Sequence, residues 1–214
     1  MMLSPLSPFY CAHCIQCRLP KTHCVCDKIE QIELPFRISL CCHSKEWQRN
    51  DNTGQWAVLS SKHIQRIRWH RKPELMSPSL SMTLEPEPGH YLLFPSDDAE
   101  NIQNLFQKAT QATHQSATKT LSLPIKQLWV IDGTWQEVQK ILRQSPWLKA
   151  LPKVHIQPAE GEVLESYFKL RRNQQGLCTL EAIEVAISYQ VPLAAQTLKR
   201  NFHLFQNTLL DLLR

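Results

Sequence analysis

The chain has 214 residues, 43% hydrophobic and 20% charged, with a formal net charge of +5 and a pI near 8.8. That composition excludes a disordered chain and suits one α/β domain of ordinary size, and its mild positive charge permits a polyanionic partner without requiring one. No run approaches the about 18 apolar residues of a membrane span, and Met1 to Tyr10 has neither the basic start nor the apolar core of a secretory signal.

The expected compartment is therefore the cytoplasm, where the chain's eight cysteines are reduced and clustered ones favour metal over disulfides. Cys11, Cys14, Cys17, Cys24 and Cys26 stand close together in a head of residues 1–30, ahead of a main domain over 31–214. The best four-ligand set is Cys14-x-x-Cys17 with Cys24-x-Cys26, since each close pair can grip one edge of a Zn²⁺ tetrahedron. Cys11 competes for a place, His13 or His23 is able to substitute, and free or redox cysteines are the alternative. The segment has too few apolar residues to fold without a cross-link, which favours a structural zinc knuckle.

In the main domain, Phe36 to Cys42 predicts a strand. It leads into His43-Ser-Lys-Glu46 and then Asn52-Thr53-Gly54. Asn52 is an N-cap, with Gln55 at the third position, for a helix through Trp56, Leu59 and His63. Arg66, Arg68, Arg71 and Lys72 then alternate with Trp69 and His70, a pattern that suits either a nucleic-acid backbone or a solvated face. Residues 73–89 read as an irregular connection. Tyr91 to Phe94 predicts a second strand ending at Pro95, and Ser96 a cap for a helix carrying Asp97, Asp98 and Glu100 in its first turn. Thr110 to Thr120 reads as a polar loop.

Leu128 to Ile131 predicts a buried strand delivering Asp132 to an Asp-Gly turn. Thr134-x-x-Glu137 is a capping box for a helix whose apolar face holds Trp135, Val138, Ile141 and Leu142, with Pro146 beyond its end. Asp132 either serves a site or only caps backbone donors. Lys153 to Ile156 predicts a fourth strand, Thr179 to Tyr189 a helix, and the segment after Pro192 a last helix. Alternating strands and helices imply a mostly parallel sheet with helices on both faces. His43 to Asn52, Pro95 to Asp97, Asp132 to Trp135 and Arg171 to Glu181 would then emerge at one sheet edge, where open α/β sheets bind ligands. The five glycines match neither Gly-x-Gly-x-x-Gly nor a phosphate-binding loop ending in Gly-Lys.

Asp132-Gly133-Thr134-Trp135 resembles the Asp-Thr-Trp signature of the DTW-domain family. The paired-cysteine head, His43-x-x-Glu46 before Asn52-Thr53-Gly54, Leu93-Phe94-Pro95, and Leu170-Arg171 before Thr179-Leu180-Glu181-Ala182 stand in the same order as the family's blocks. The match covers about residues 11–190 and is nearest the bacterial tRNA-uridine aminocarboxypropyltransferases. The resemblance implies a SPOUT-like fold with a C-terminal trefoil knot and S-adenosylmethionine as co-substrate. The implied reaction transfers its 3-amino-3-carboxypropyl group to N3 of a tRNA uridine and releases 5′-methylthioadenosine. Asp132 becomes a candidate base or a clamp for the donor's amino group, with Asn52, Thr53, Thr134 and Trp135 beside it. Pro95, Gly133, Leu170 and Thr179 become candidate donor contacts. Glu181 reads as a helix-start residue with a donor-binding role left open. Arg66, Arg68, Arg71, Lys72, Arg171 and Arg172 are candidate tRNA phosphate contacts. Methyl transfer to RNA and zinc-stabilised RNA binding without catalysis are the alternatives, and the oligomeric state is left open.

Overall fold

The computed structural model describes residues 12–72, 75–76, 87–115, 124–158, 164–170 and 176–214. The strand expected at Phe36 to Cys42 forms as β1 (Arg37–Cys42), and the Asn52 side chain accepts from Gln55 N–H at 2.8 Å to open α1 (Thr53–Leu59). β2 (Ile64–Arg68) follows, a strand absent from the sequence reading because its basic residues hid the inward Ile64 and Ile67. β3 (His90–Leu93) is the strand expected at Tyr91 to Phe94. The helix expected to open at Ser96 does not begin there: the chain turns at Ser96 to Ala99, forms the two-residue β4 (Glu100–Asn101), and enters α2 (Ile102–Gln115) only afterwards. α2 also runs past Thr110, where a loop was expected.

β5 (Gln127–Asp132) and α3 (Trp135–Gln144) flank the Asp-Gly turn. Pro146 sits in the first turn of a further helix, α4 (Pro146–Ala150), where its fixed φ and missing N–H do no harm. β6 (Lys153–His155), α5 (Thr179–Ser188) and α6 (Pro192–Asp211) complete the order. β6 also explains the late start of α2. Glu100 and Asn101 pair with Val154 and His155, and Lys153 Nζ holds Asp98 at 2.8 Å, so this acidic segment joins the sheet edge instead of a helix.

The six strands run β2-β1-β5-β3-β6-β4, every pair parallel. β5 is buried along its whole length, as a central parallel strand covered on both faces must be. Alternation sends Ile38, Leu40, Leu128 and Val130 to one face, against Trp56, Phe202 and Phe205. Cys41, Trp129 and Ile131 go to the other, against Val138, Ile141 and Trp147. Trp56 stacks flat on Phe205 with ring centroids 5.1 Å apart, and Trp129 meets Trp147 edge-on at 5.0 Å. Pairs of this kind add roughly 0.5–1.5 kcal/mol beyond the area they bury.

The chain leaves β1 towards β2 on one side and leaves β5 towards β6 on the other. These two strands are neighbours, so a crevice opens between their C-terminal ends, the switch point at which such sheets hold ligands. The C-terminal trefoil knot that the resemblance implies is not traced, because residues 159–163 and 171–175 lie outside the described residues. Among the described residues no helix is long and apolar enough to cross a membrane.

Candidate active site

A cavity of about 1110 Å³ opens at the switch point. Asn52 and Thr53 enter it from the start of α1, and Pro95 from beyond β3. Asp132, Gly133, Thr134 and Trp135 enter from the turn after β5, and Leu170 and Thr179 from the chain around the start of α5. The parallel register thus brings together segments far apart in sequence, and the volume, just above the usual range of about 300–1,000 Å³ for ligand pockets, has room for a ligand larger than a nucleoside.

Asp132 is 2% exposed, and its two oxygens meet different surroundings. Oδ1 accepts from the Thr179 hydroxyl at 2.8 Å. Oδ2 accepts from Asn52 Nδ2 at 3.1 Å and from the Cys42 thiol at 3.2 Å, with Arg66 Nη2 at 3.8 Å. Burial, and then the adjacent Asp132 charge, push the Cys42 thiol well above its ordinary range, so it stays a donor. Gly54 is required here by close approach: a Cβ on it would lie 2.8 Å from Asp132 Oδ2. Asn52 is used at both ends, accepting from Gln55 N–H while its amide also reaches Glu46 Oε2 at 3.2 Å.

Arg66 does not fit the phosphate-contact expectation. Its side chain is 3% exposed and lies beneath the site. Nη1 donates to Gln55 Oε1 at 2.7 Å, and Nη2 to Cys42 Sγ at 2.9 Å and to the Glu46 carbonyl at 3.3 Å, with the guanidinium over the Trp47 ring. It acts as the internal counter-ion of Asp132. Arg68 is half-buried at the end of β2, while Arg71 and Lys72 are exposed beyond it. Arg171 and Arg172 lie outside the described residues.

Glu181 is the helix-start residue that the sequence suggests, closing a capping box on Cys178, and it does not take the donor-binding role left open for it. It is fully buried and does not line the cavity. Its carboxylate accepts from the Ser166 hydroxyl and from the backbone N–H groups of Tyr167 (2.7 Å), Phe168 (3.1 Å) and Cys178 (2.7 Å). A carboxylate so saturated has no place left for a donor molecule. It pins residues 166–168, of which Phe168 does line the cavity.

Two further residues at this edge, His43 and Glu46, hold its segments in place. His43 Nδ1 lies 3.0 Å from Glu137 Oε1, and Glu137 Oε2 accepts from Thr134 N–H and hydroxyl, both at 2.9 Å. The capping box therefore also ties the end of β1 to α3. Glu46, buried behind Asn52, is held by Arg49 Nη1 at 3.1 Å. Their only signal was the spacing His43-x-x-Glu46.

In the head, the Sγ atoms of Cys14, Cys17, Cys24 and Cys26 all lie within 4.8 Å of one another. Cys14–Cys26 and Cys17–Cys24 are 3.7 and 3.8 Å apart. A tetrahedron with metal–sulfur arms of about 2.3 Å has sulfur–sulfur edges of about 3.8 Å, so the group fits a zinc ion. Cys11 lies outside the described residues, and His13 and His23 are not part of the group. Cys17, Leu19 and Val25 are buried in the same core as α1 and α6.

Against known proteins, the family model described as the DTW domain matches residues 11–210. No solved structure matches the chain.

Proposed function

Because the chain belongs to the DTW-domain family, a membership consistent with an enzyme that modifies tRNA, we propose that it transfers the 3-amino-3-carboxypropyl group of S-adenosylmethionine to N3 of a tRNA uridine. The observation that carries this reading is Asp132: a carboxylate in the wall of a cavity of about 1110 Å³, with Oδ2 fixed from three sides and Oδ1 held among the described residues by Thr179. Bound S-adenosylmethionine supplies an electrophilic γ-carbon next to a sulfonium. The N3–carbon bond forms as the carbon–sulfur bond breaks, and the sulfur keeps that bond's electron pair in the departing 5′-methylthioadenosine. Asp132 takes the N3 proton at Oδ1, and a general base of this kind contributes typically about 10²–10⁴ in rate.

Asn52 and Thr53 orient the amino-acid end of the donor, and Pro95, Leu170 and Thr179 hold its nucleoside end largely through backbone groups. Arg66, 3.8 Å from Asp132 Oδ2, braces that oxygen from beneath without touching substrate. The four-cysteine group holds a structural zinc ion that orders the knuckle, and Arg68, Arg71, Lys72, Arg171 and Arg172 carry tRNA phosphates. The cytoplasm is the proposed compartment.

The test is incubation of the purified protein with S-adenosylmethionine and unmodified tRNA, followed by nucleoside mass spectrometry and assay for 5′-methylthioadenosine. The expected uridine increment is that of an aminocarboxypropyl group. A methyl-sized increment overturns this reading in favour of methyl transfer, and tRNA binding with no product overturns it in favour of a non-catalytic protein. For Asp132→Asn, lost turnover with unchanged donor affinity supports the base. Retained turnover with weakened donor affinity makes Asp132 a clamp.

A further inference from the structure

Trp135 has an unusual position for the largest side chain. It is 59% exposed at the first residue of α3, yet its ring is fixed. It lies parallel to Phe94, at 3° and 5.7 Å between centroids, and both rings line the cavity. Phe94 belongs to the core beneath α3 and α4, so the covered face of Trp135 rests on a rigid support. The bonds from Thr134 to Glu137 fix the helix start that carries it. One ring face is thus stacked on the protein, and the exposed remainder adjoins the cavity, three residues along the chain from Asp132.

From this geometry we propose that Trp135 is the platform on which the acceptor base stacks, an unpaired pyrimidine turned out of its RNA and presented to Asp132. The inference rests on the transfer reading above and adds how the acceptor is held. An extruded base loses the stacking it had in RNA, and proteins that read unpaired RNA replace it with an aromatic face. A ring already stacked on Phe94 extends that column without first having to be ordered. The exposed side of the ring is the one that a nucleotide still joined to its strand reaches from solvent. A small free donor has no such constraint and takes the wall formed by the buried Phe168 and by Leu170.

Full-length wild type, Trp135→Leu and Trp135→Phe are compared for equilibrium binding of unmodified tRNA, equilibrium binding of S-adenosylmethionine and, separately, turnover. Base–aromatic stacking corresponds to about 5- to 150-fold in affinity. Trp135→Leu is expected to weaken tRNA binding, or to raise KM for tRNA, within that range while donor affinity is unchanged, and Trp135→Phe to restore most of the loss. Weakened donor binding with tRNA unaffected assigns the ring to adenine and overturns the proposal, as does no change in either. The exposed ring makes unfolding of either variant unexpected, and thermal melting checks it. Because both binding measurements need no chemistry, absence of product from the wild type defeats the transfer reading while still reporting on the platform.

Discussion

The cysteine knuckle and the Asp132 centre are two small polar assemblies held by opposite means. The knuckle is local: four thiols within Cys14 to Cys26 close on one point, held by two short 3₁₀ turns and an antiparallel bridge between His13 and Pro20. The Asp132 centre is global, drawing Cys42, Asn52, Arg66 and Thr179 from four separate elements to one buried carboxylate. A knuckle of this kind depends on an ion for its order, whereas the centre depends on the sheet that positions it. The two meet at Gln55, whose Nε2 donates to the Gln16 carbonyl at 3.0 Å while Oε1 accepts from Arg66. Arg18 adds a second tie, to the Arg49 carbonyl at 2.8 Å.

Removing the metal is the largest expected perturbation, since structural thiolate sites supply about 10–16 kcal/mol of apparent folding energy at neutral pH. Cys17→Ser or a strong chelator should release zinc, measured by elemental analysis, and lower the melting temperature. The loss should spread beyond the knuckle because Cys17, Leu19 and Val25 are part of the main core. An unchanged melt in metal-free protein would break the comparison. Arg66→Met attacks the other side of it. Taking one partner from a buried ion pair costs about 3–5 kcal/mol, because the remaining charge is left unpaired. Chemical denaturation should show that loss. Unchanged stability with weakened tRNA binding would instead return Arg66 to the phosphate-contact role its sequence suggests.

That contrast explains what was legible. The knuckle's quartet and the turn after β5 were readable because spacing carries them: paired cysteines, an apolar run, and a Thr134–Glu137 box. All four expected strands formed, and their common parallel edge followed from alternation alone. β2 was not readable, because Arg66 points inward only when Asp132, far along the chain, neutralises it. The donor-binding role of Glu181 was left open for a related reason. A glutamate at a helix start looks the same whether it faces a cavity or accepts from a returning loop, and the Ser166 to Phe168 donors are found only in the fold. The early part of α2 failed because sheet pairing with β6 outweighs a good cap.

Glu181→Gln gives an intermediate effect and tests whether global assembly extends beyond Asp132. An amide has one acceptor oxygen where the carboxylate has two, so it abandons part of this set. Each hydrogen bond to a charged group is worth about 1.5–3 kcal/mol. The expected result is reduced stability and weaker S-adenosylmethionine binding, through a loosened Phe168. Full donor affinity with normal stability would show that the loop holds itself.

The smallest expected effect is a pH dependence that separates charge-held from metal-held order. Burial acts to raise the Glu137 carboxyl, but bonds from the Thr134 N–H and hydroxyl, then the His43 and Lys45 charges, outweigh it and leave it below its ordinary value of 4.5. A value depressed on folding stabilises fully above the unfolded value and fades as pH falls through the folded one. Denaturation midpoints measured from about pH 7 down to about pH 3 should therefore show wild type and Glu137→Gln converging as the pH falls. A gap that widened towards acid would mean that Glu137 is destabilised in the fold, and the His43–Glu137 tie between β1 and α3 would then be a constraint imposed by the sheet instead of one that helps to hold it.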